Sequence, residues 1–413
     1  PMNRLFSPLI PLLFIISCSG QQKQKNNNSE IMAYDSLKQY GYNIDFLRKH
    51  TEVIELKKGK SAVAVVPAWQ GRVMTSTAVG EAGFSFGWIN HALISAGKGL
   101  PHITPYGGEE RFWLGPEGGQ YSIFFRKDDE FTYENWQTPA FLDTLPFTPV
   151  SVTESSASFS HETQVENYSG TIFRIAIERN ITLLGEDDVK NEAGIDLAGT
   201  NFVAYRSENI LRNRGENEWT KQSGLLSVWM LGMFNPSPAV TVVIPVREGS
   251  PEESGPKVND NYFGPIPADR LKVSGNIIYF RADGKSRGKI GIPPLRAIGT
   301  LGSFDFENNI LTLLFCRLPE GVKDYVNSAW QIQDEPFSGD ALNSYNDGPL
   351  EDGSIMGPFY EIETSSPAAA LKPGESITHT QTTIHITGDR KLLNDIAFRS
   401  LGVSLEEIDK AFD

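Results

Sequence analysis

The chain has 413 residues, 39% hydrophobic, 11% aromatic and 21% charged, with 38 glycines and 25 prolines, which is long enough for one large β domain or two smaller ones. A formal net charge of -14 and a pI near 5.0 leave no basic stripe for phosphate neutralisation, so nucleic acid is not an expected partner. The two cysteines, Cys18 and Cys316, lie far apart, and with Cys18 closing a processing segment no intramolecular disulfide is expected.

Residues 1–18 have the make-up of an export signal. Met2 reads as the initiator and Arg4 as a short positive region, and Leu5 to Ile16 is an apolar run too brief to span a bilayer. The Ile15-Ile16-Ser17-Cys18 that ends it resembles a bacterial lipoprotein lipobox. That resemblance implies lipidation of Cys18, a membrane anchor and a place in the bacterial cell envelope. Residues 19–31, beginning SGQQKQKNNNSE, are polar without apolar periodicity and read as a flexible tether. Residues 32–50 contain LKQYGYNIDFLRKH, whose spaced apolar positions predict a short amphipathic helix leading into the domain.

From residue 51 the pattern changes to short β-rich runs separated by turn signals. They include VIELKKGKSAVAVV, GRVMTSTAV, YSIFF, SVTESSASFSHETQV, TIFRIAIERNITLL, TNFVAYRSENIL, GLLSVWMLGMF, AVTVVIPV, NIIYFRA, NILTLLFCRL, YEIET and SITHTQTTIHIT. No repeat of fixed period suggests a propeller or solenoid. The prediction is a single all-β domain over residues 51–388, a sandwich or barrel, with Cys316 a small buried thiol in one of its strands. Residues 389–413 have helical spacing, with Ser404 and Glu407 placed as a capping box.

The chain lacks GxxxxGK[ST], HExxH and a CxxC pair, so a phosphate-binding loop, a zincin and a zinc ribbon lack their parts; no metal and no cofactor is expected. The six histidines are His50, His91, His102, His161, His379 and His385, none at a recognised ligand spacing. His379 and His385 share a strand face but lie roughly 20 Å apart along it, too far to share an ion, and are expected to be partly exposed. The run NSYNDGPLEDGS from Asn343 to Ser354 is a spoiled calcium loop, because Tyr345 and Ser354 occupy ligand positions. As a loop at a sheet rim it still offers Asn343 and Tyr345 as sugar contacts.

The densest candidate site is YGGEERFWLGPEGGQ, Tyr106 to Gln120. Paired glycines let backbone approach a ligand closely, and Glu109, Glu110, Arg111 and Glu117 are costly to bury without partners. Trp113 supplies a flat apolar face. A flat face beside carboxylate and amide groups, Gln120 included, suits a sugar, whose CH groups stack and whose hydroxyls need paired hydrogen bonds. The plainer reading is a surface hairpin with ordinary salt bridges. Arg72, His91 and His102 are the nearby residues expected to complete such a cleft.

The run Tyr360 to Ile386, YEIETSSPAAALKPGESITHTQTTIHI, resembles the closing segment of galactose mutarotases and related aldose epimerases: a strand bearing a glutamate, a Pro-containing loop, L-x-P-G-E, then a hydroxyl-rich final strand. AWQGRVMTSTA and HITPYGGEERFWLGPEGGQ are similar to earlier family segments, more diffusely. The chain looks most like bacterial lipoproteins of this superfamily rather than the proven epimerases. The resemblance implies a large galactose mutarotase-like β-supersandwich with short terminal helices and a carbohydrate partner. It makes Glu363 the candidate catalytic base, with Glu361 one strand repeat away as the fallback. One departure matters: the stretch aligned with the family's acid histidine, SVWMLGMFNPS from Ser227 to Ser237, contains none. Glu110, His91 and His102 are the candidates to replace it. Two functions therefore stand open: a carbohydrate-binding envelope lipoprotein, in its catalytic form an isomerase, glycoside hydrolase or lyase, and a non-catalytic structural or glycan-capture module.

Overall fold

The computed structural model describes residues 36–350 and 352–413; Cys18 with its signal-like segment and the tether lie outside them. The described chain begins with helix α1 (Tyr40–His50), which buries Tyr40, Ile44 and Leu47 against the first strands. Strands β1 (Ile54–Lys58), β2 (Ser61–Val66) and β3 (Arg72–Thr77) form a small antiparallel sheet. A short helix α2 (His91–Ala96) and strand β4 (Arg111–Gly115) follow. Helix α3 (Ala140–Asp143) precedes β5 (Thr148–Val152), β6 (Ser156–Glu166) and β7 (Ile172–Leu184). Helix α4 (Glu186–Ala193), β8 (Asn201–Asn213), β9 (Ser227–Phe234) and β10 (Val240–Pro245) come next. Then a short helix α5 (Pro251–Ser254) leads to β11 (Leu271–Ser274), β12 (Ile277–Arg281), β13 (Gly288–Ile292), β14 (Thr300–Asp305) and β15 (Ile310–Cys316). The last strands are β16 (Leu342–Asn346), β17 (Tyr360–Ser365) and β18 (Ser376–Thr387), and helices α6 (Arg390–Leu401) and α7 (Leu405–Asp409) close the chain.

Two antiparallel layers face one another. One is a ten-stranded sheet ordered β11-β12-β10-β14-β15-β18-β8-β7-β6-β5. The other is a five-stranded sheet, β13-β16-β17-β9-β4, continued toward β3 by a bridge between Val73 and Glu110. Alternation along each strand assigns its faces. On β17, Tyr360 and Ile362 enter the core while Glu361 and Glu363 point to the other side. On β18, Ile384 and Ile386 pack outward under α6, through Leu393, Ile396, Ala397 and Leu401. Asp389 caps α6, Gly402 ends it at φ +76, and Ser404 and Glu407 form the expected capping box of α7.

The core between the layers is not wholly apolar. The inward residues of β18, His379, Gln381, Thr383 and His385, meet Arg179, Ser207 and Asn209 from β7 and β8, all buried. His379 and His385 are thus at 2% and 1% exposure, against the expectation of partly exposed residues. His379 Nε2 hydrogen-bonds the Thr364 hydroxyl and His385 Nδ1 that of Thr312, while His385 Nε2 has no hydrogen-bond partner among the described residues, and burial pushes His379 down to about 4. Three other expectations change. YSIFF is no strand, since Ile123, Phe124 and Phe125 are all buried among aromatic rings instead of alternating. Asn343 to Asn346 belongs to β16 and not to a loop. Cys316 is only partly buried as a residue, although burial pushes its thiol up to about 12.

Candidate functional site

The outward face of the five-stranded sheet carries an unusual set of side chains. Register places Arg111 of β4, Leu231 of β9, Glu363 of β17, Asn343 of β16 and Gly291 of β13 in one row. A neighbouring row holds Met233, Glu361, Tyr345 and Lys289, and another pairs Trp113 with Trp229. Every one of these positions is the odd-numbered partner of an inward apolar or small residue, so strand periodicity alone brings five segments far apart in sequence onto one floor.

Diagonal contacts join the rows. Glu363, fully buried, accepts from Lys289 Nζ at 2.9 Å and from Trp229 Nε1 at 2.9 Å, both at Oε2. Its Oε1 has no hydrogen-bond partner among the described residues. Glu361 accepts from Arg111 Nη2 at 2.5 Å. The Trp113 and Trp229 rings meet edge to face at 5.6 Å, and the Arg111 guanidinium lies 5.3 Å from the Trp113 ring centre. Lys289 is 4.8 Å from the Trp229 ring and its side chain keeps 13% exposure, against 4% for Arg111 and 0% for Glu363, so solvent reaches this face beside Lys289. Burial opposes its ammonium charge, but Glu363 outweighs that and holds the Lys289 pKa above the ordinary lysine value.

Loops wall the cleft. Glu117, just beyond β4 and half-buried, accepts a side-chain hydrogen bond from Trp330, and burial pushes its carboxyl up to about 7. Burial also pushes Glu361 up to about 7, against Arg111 and with help from neighbouring Glu363. On the opposite side Tyr262 donates to Asp340, and Asn343 Nδ2 donates to the Tyr262 oxygen at 3.1 Å. Gly291 makes room for this pair, because a Cβ there would lie 2.0 Å from Asp340 Oδ2. Burial pushes Asp340 up to about 6.

Of the residues singled out in sequence, Arg111, Trp113, Glu117, Asn343, Tyr345 and Glu363 share this face. Gln120 stands behind it as a clamp, bonding Gln333 through both ends of its amide. Others are displaced. Glu110, a candidate acid, turns into the sandwich, where Arg179 Nη2 donates to it at 2.7 Å and Gln381 Nε2 at 3.0 Å. Glu109 also turns inward and lies 3.8 Å from His385 Nε2. Gly107 and Gly108, at φ +97 and +109, explain this: they break the alternation just before β4 begins. His91 is tied to Asn43 and to the Ile89 carbonyl, and His102 to the Trp136 carbonyl, so neither stands beside Glu363. Arg72 is buried at the edge, donating to Gly107 O and Gln70, and burial followed by the nearby Arg111 charge lowers it to about 9.

Sequence reasoning missed Lys289, Trp229, Tyr262, Asp340 and Trp330. The signal for Lys289 was present, since Lys289 and Gly291 alternate with Ile290 and Ile292 over a short half-buried strand. Gly83 to Gly87 does spell G-x-S-x-G, yet no esterase elbow results. Ser85 is buried between Thr75 and Asn43 and no strand-to-helix turn exposes it. A cavity of about 1020 Å³ lies elsewhere, on the outer face of the ten-stranded sheet between α4 and α6. Its carboxylates are exposed or half-exposed and its Arg206 pairs with Glu192, so volume and chemistry part company here. Among the described residues no cluster of three or more His, Cys, Asp or Glu could hold a metal ion, and no helix is long and apolar enough to cross a membrane.

A family described as "Family of unknown function (DUF6786)" matches residues 38–412. The chain belongs to that family. Among functionally curated proteins nothing matches it. Solved structures are similar in arrangement. The Slr1438 protein of Synechocystis sp. PCC 6803 is 12% identical with a TM-score of 0.49, covering 82% of this chain and 96% of its own. A galactose mutarotase-like protein from Lactobacillus casei is 11% identical, TM-score 0.46, covering 81% and 99%. A galactose mutarotase related enzyme from Lactobacillus acidophilus is 9% identical, TM-score 0.44, covering 82% and 97%. Likeness at this level passes no residue role to the chain.

Proposed function

We propose that the outer face of the five-stranded sheet binds a carbohydrate, with Glu363 meeting a sugar hydroxyl at the floor of the cleft. The observation that carries this is the Glu363 Oε1, a buried acceptor without a partner among the described residues, set beside two edge-to-face indoles. Leaving such an oxygen unsatisfied costs about 1–3 kcal/mol, which a sugar hydroxyl would recover while its CH groups pack on tryptophan. The test is calorimetry of the described domain against a panel of mono- and oligosaccharides. Trp113→Ala and Glu363→Gln should each weaken the heats of whichever sugar binds; heats unchanged in both variants contradict the proposal.

In the catalytic form of this reading, Glu363 takes the proton of an anomeric hydroxyl as the C1–O5 bond breaks and C1 becomes a carbonyl. A protonated Glu117 delivers its proton to the ring oxygen, and the reverse steps close the ring on the other face. A carboxyl pushed up to about 7 suits the acid role. Glycan capture without turnover is the second reading, favoured by the two donors that already occupy Glu363 Oε2. Polarimetry of fresh α-glucose and α-galactose separates them: acceleration over buffer that is lost in Glu117→Gln supports turnover, and a rate equal to buffer supports capture. Lipidation of Cys18 and an envelope location belong to the same proposal, supported by the lipobox-like segment. Incorporation of a labelled fatty acid that disappears in Cys18→Ser tests them.

A further inference from the structure

Two buried N–H groups on the β4 side of this face, Arg111 Nε and Trp113 Nε1, have no partner among the described residues. Arg287, immediately before β13, adds a third source of donors. Its guanidinium lies 3.9 Å from the Phe263 ring centre, and Phe263 in turn packs edge to face on Tyr345, a residue of the cleft floor. Arg287 forms no ion pair among the described residues and is exposed, so its charge remains available at the mouth. A neutral sugar hydroxyl can satisfy one donor but brings a proton of its own, whereas a carboxylate accepts only and offers about four lone-pair sites.

Building on the carbohydrate reading above, we infer that this cleft takes an acidic sugar, a uronic acid or a glycan containing one, with its carboxylate at the β13 edge of the sheet, on Arg287 and Lys289. The charge state of the walls supports this choice. Glu117 faces Lys289, Arg287, Glu363 and the Trp330 indole, and Glu361 faces Arg111, Glu363, Lys289 and Asp347. Both carboxyls are pushed up to about 7, so below that pH each spends part of its time as a neutral donor. Lys289, held above the ordinary lysine value, stays cationic throughout, and a protonated carboxyl adds a hydrogen bond to a ligand carboxylate. Above pH 7 the same two groups become anions that repel it.

The experiment titrates the domain with methyl D-glucuronoside and methyl D-galacturonoside, and with trimers of galacturonate, beside the matching neutral glycosides, at pH 6 and pH 8. The expected result is uronate binding about tenfold tighter than the neutral partner at pH 6, the order of one charge-assisted hydrogen bond. Arg287→Gln should remove most of that margin, and the margin should shrink at pH 8. Neutral sugars bound as tightly as uronates would overturn the acidic class while leaving the carbohydrate reading intact. Uronates that bind with no loss in Arg287→Gln and no change between pH 6 and pH 8 would overturn the assignment of the carboxylate to this wall. Binding of neither class would overturn both readings together.

Discussion

Lys289 and Glu363 hold each other in place on the cleft floor, and neither would be tolerable there alone. Removing the ammonium leaves a fully buried carboxylate with one indole donor. Lys289→Met should therefore destabilise the protein by about 2 kcal/mol, a buried-pair loss discounted for the part-exposed lysine, and Lys289→Met with Glu363→Gln should recover most of it. Urea denaturation of the two variants measures this; equal losses would mean that Glu363 draws nothing from Lys289. Glu117 makes a prediction in pH. Its ordinary pKa of 4.5 is raised to about 7 in the fold, so the unfolded chain ionises first. The stability linked to its proton is fully present below about 4.5 and is lost as pH rises through about 7. Melting temperature should fall between pH 5 and pH 8 in the wild type, and less in Glu117→Gln, which keeps an acceptor for Trp330 without the charge. Parallel curves for the two proteins would contradict the raised pKa.

At the scale of the element, five short strands make the site, and the ones easiest to overlook in sequence carry most of it. The long strands β7, β8 and β18 were legible because β-branched and apolar residues recur along them over twelve or thirteen positions. β4, β13 and β16 have five residues each, and their outward positions hold Arg111, Trp113, Lys289, Asn343 and Tyr345 in place of the simple polar residues of a solvated strand. That substitution is why RFWLG reads as a charged hairpin and LNSYN as a loop. Glu363 was placed by the resemblance of its strand, and its face followed from period two. Glu109 and Glu110 were misplaced because two glycines at positive φ break that period, a backbone fact that sequence shows only as Gly-Gly. The same geometry yields a test at Gly291 of β13. Alanine there should drive Asp340 and Tyr262 off the cleft wall and cut affinity for whichever sugar binds by about tenfold or more, while the melting temperature, set mainly by the two-layer core, changes little. Calorimetry beside thermal unfolding separates the two effects, and undiminished affinity would show that this wall does not touch the ligand.

For the whole molecule, the buried polar layer locks one sheet to the other. Arg179 of β7 donates to Gly71 O at 3.0 Å, to Asn209 and to Glu110 at the start of β4, so one fully buried guanidinium ties the ten-stranded sheet to both parts of the opposing layer. Arg179→Met should cost about 3–5 kcal/mol because Glu110 is left buried without its charge partner, whereas Arg179→Met with Glu110→Gln should be far milder. Chemical denaturation decides it, and a single variant as stable as the double one would remove the lock from the account. This arrangement also explains how the cleft can be charged and still rigid: its floor is the outer side of a sheet whose inner side is pinned at several polar points as well as by apolar packing.

The most direct test of the central claim is a crystal of the domain soaked with galacturonate trimer and inspected for difference density. The account predicts a sugar ring against the Trp113 and Trp229 indoles, a hydroxyl within hydrogen-bond distance of Glu363 Oε1 and a carboxylate toward Arg287. Density seated instead in the groove between α4 and α6, with the outer face of the five-stranded sheet unoccupied at saturating sugar, would contradict it.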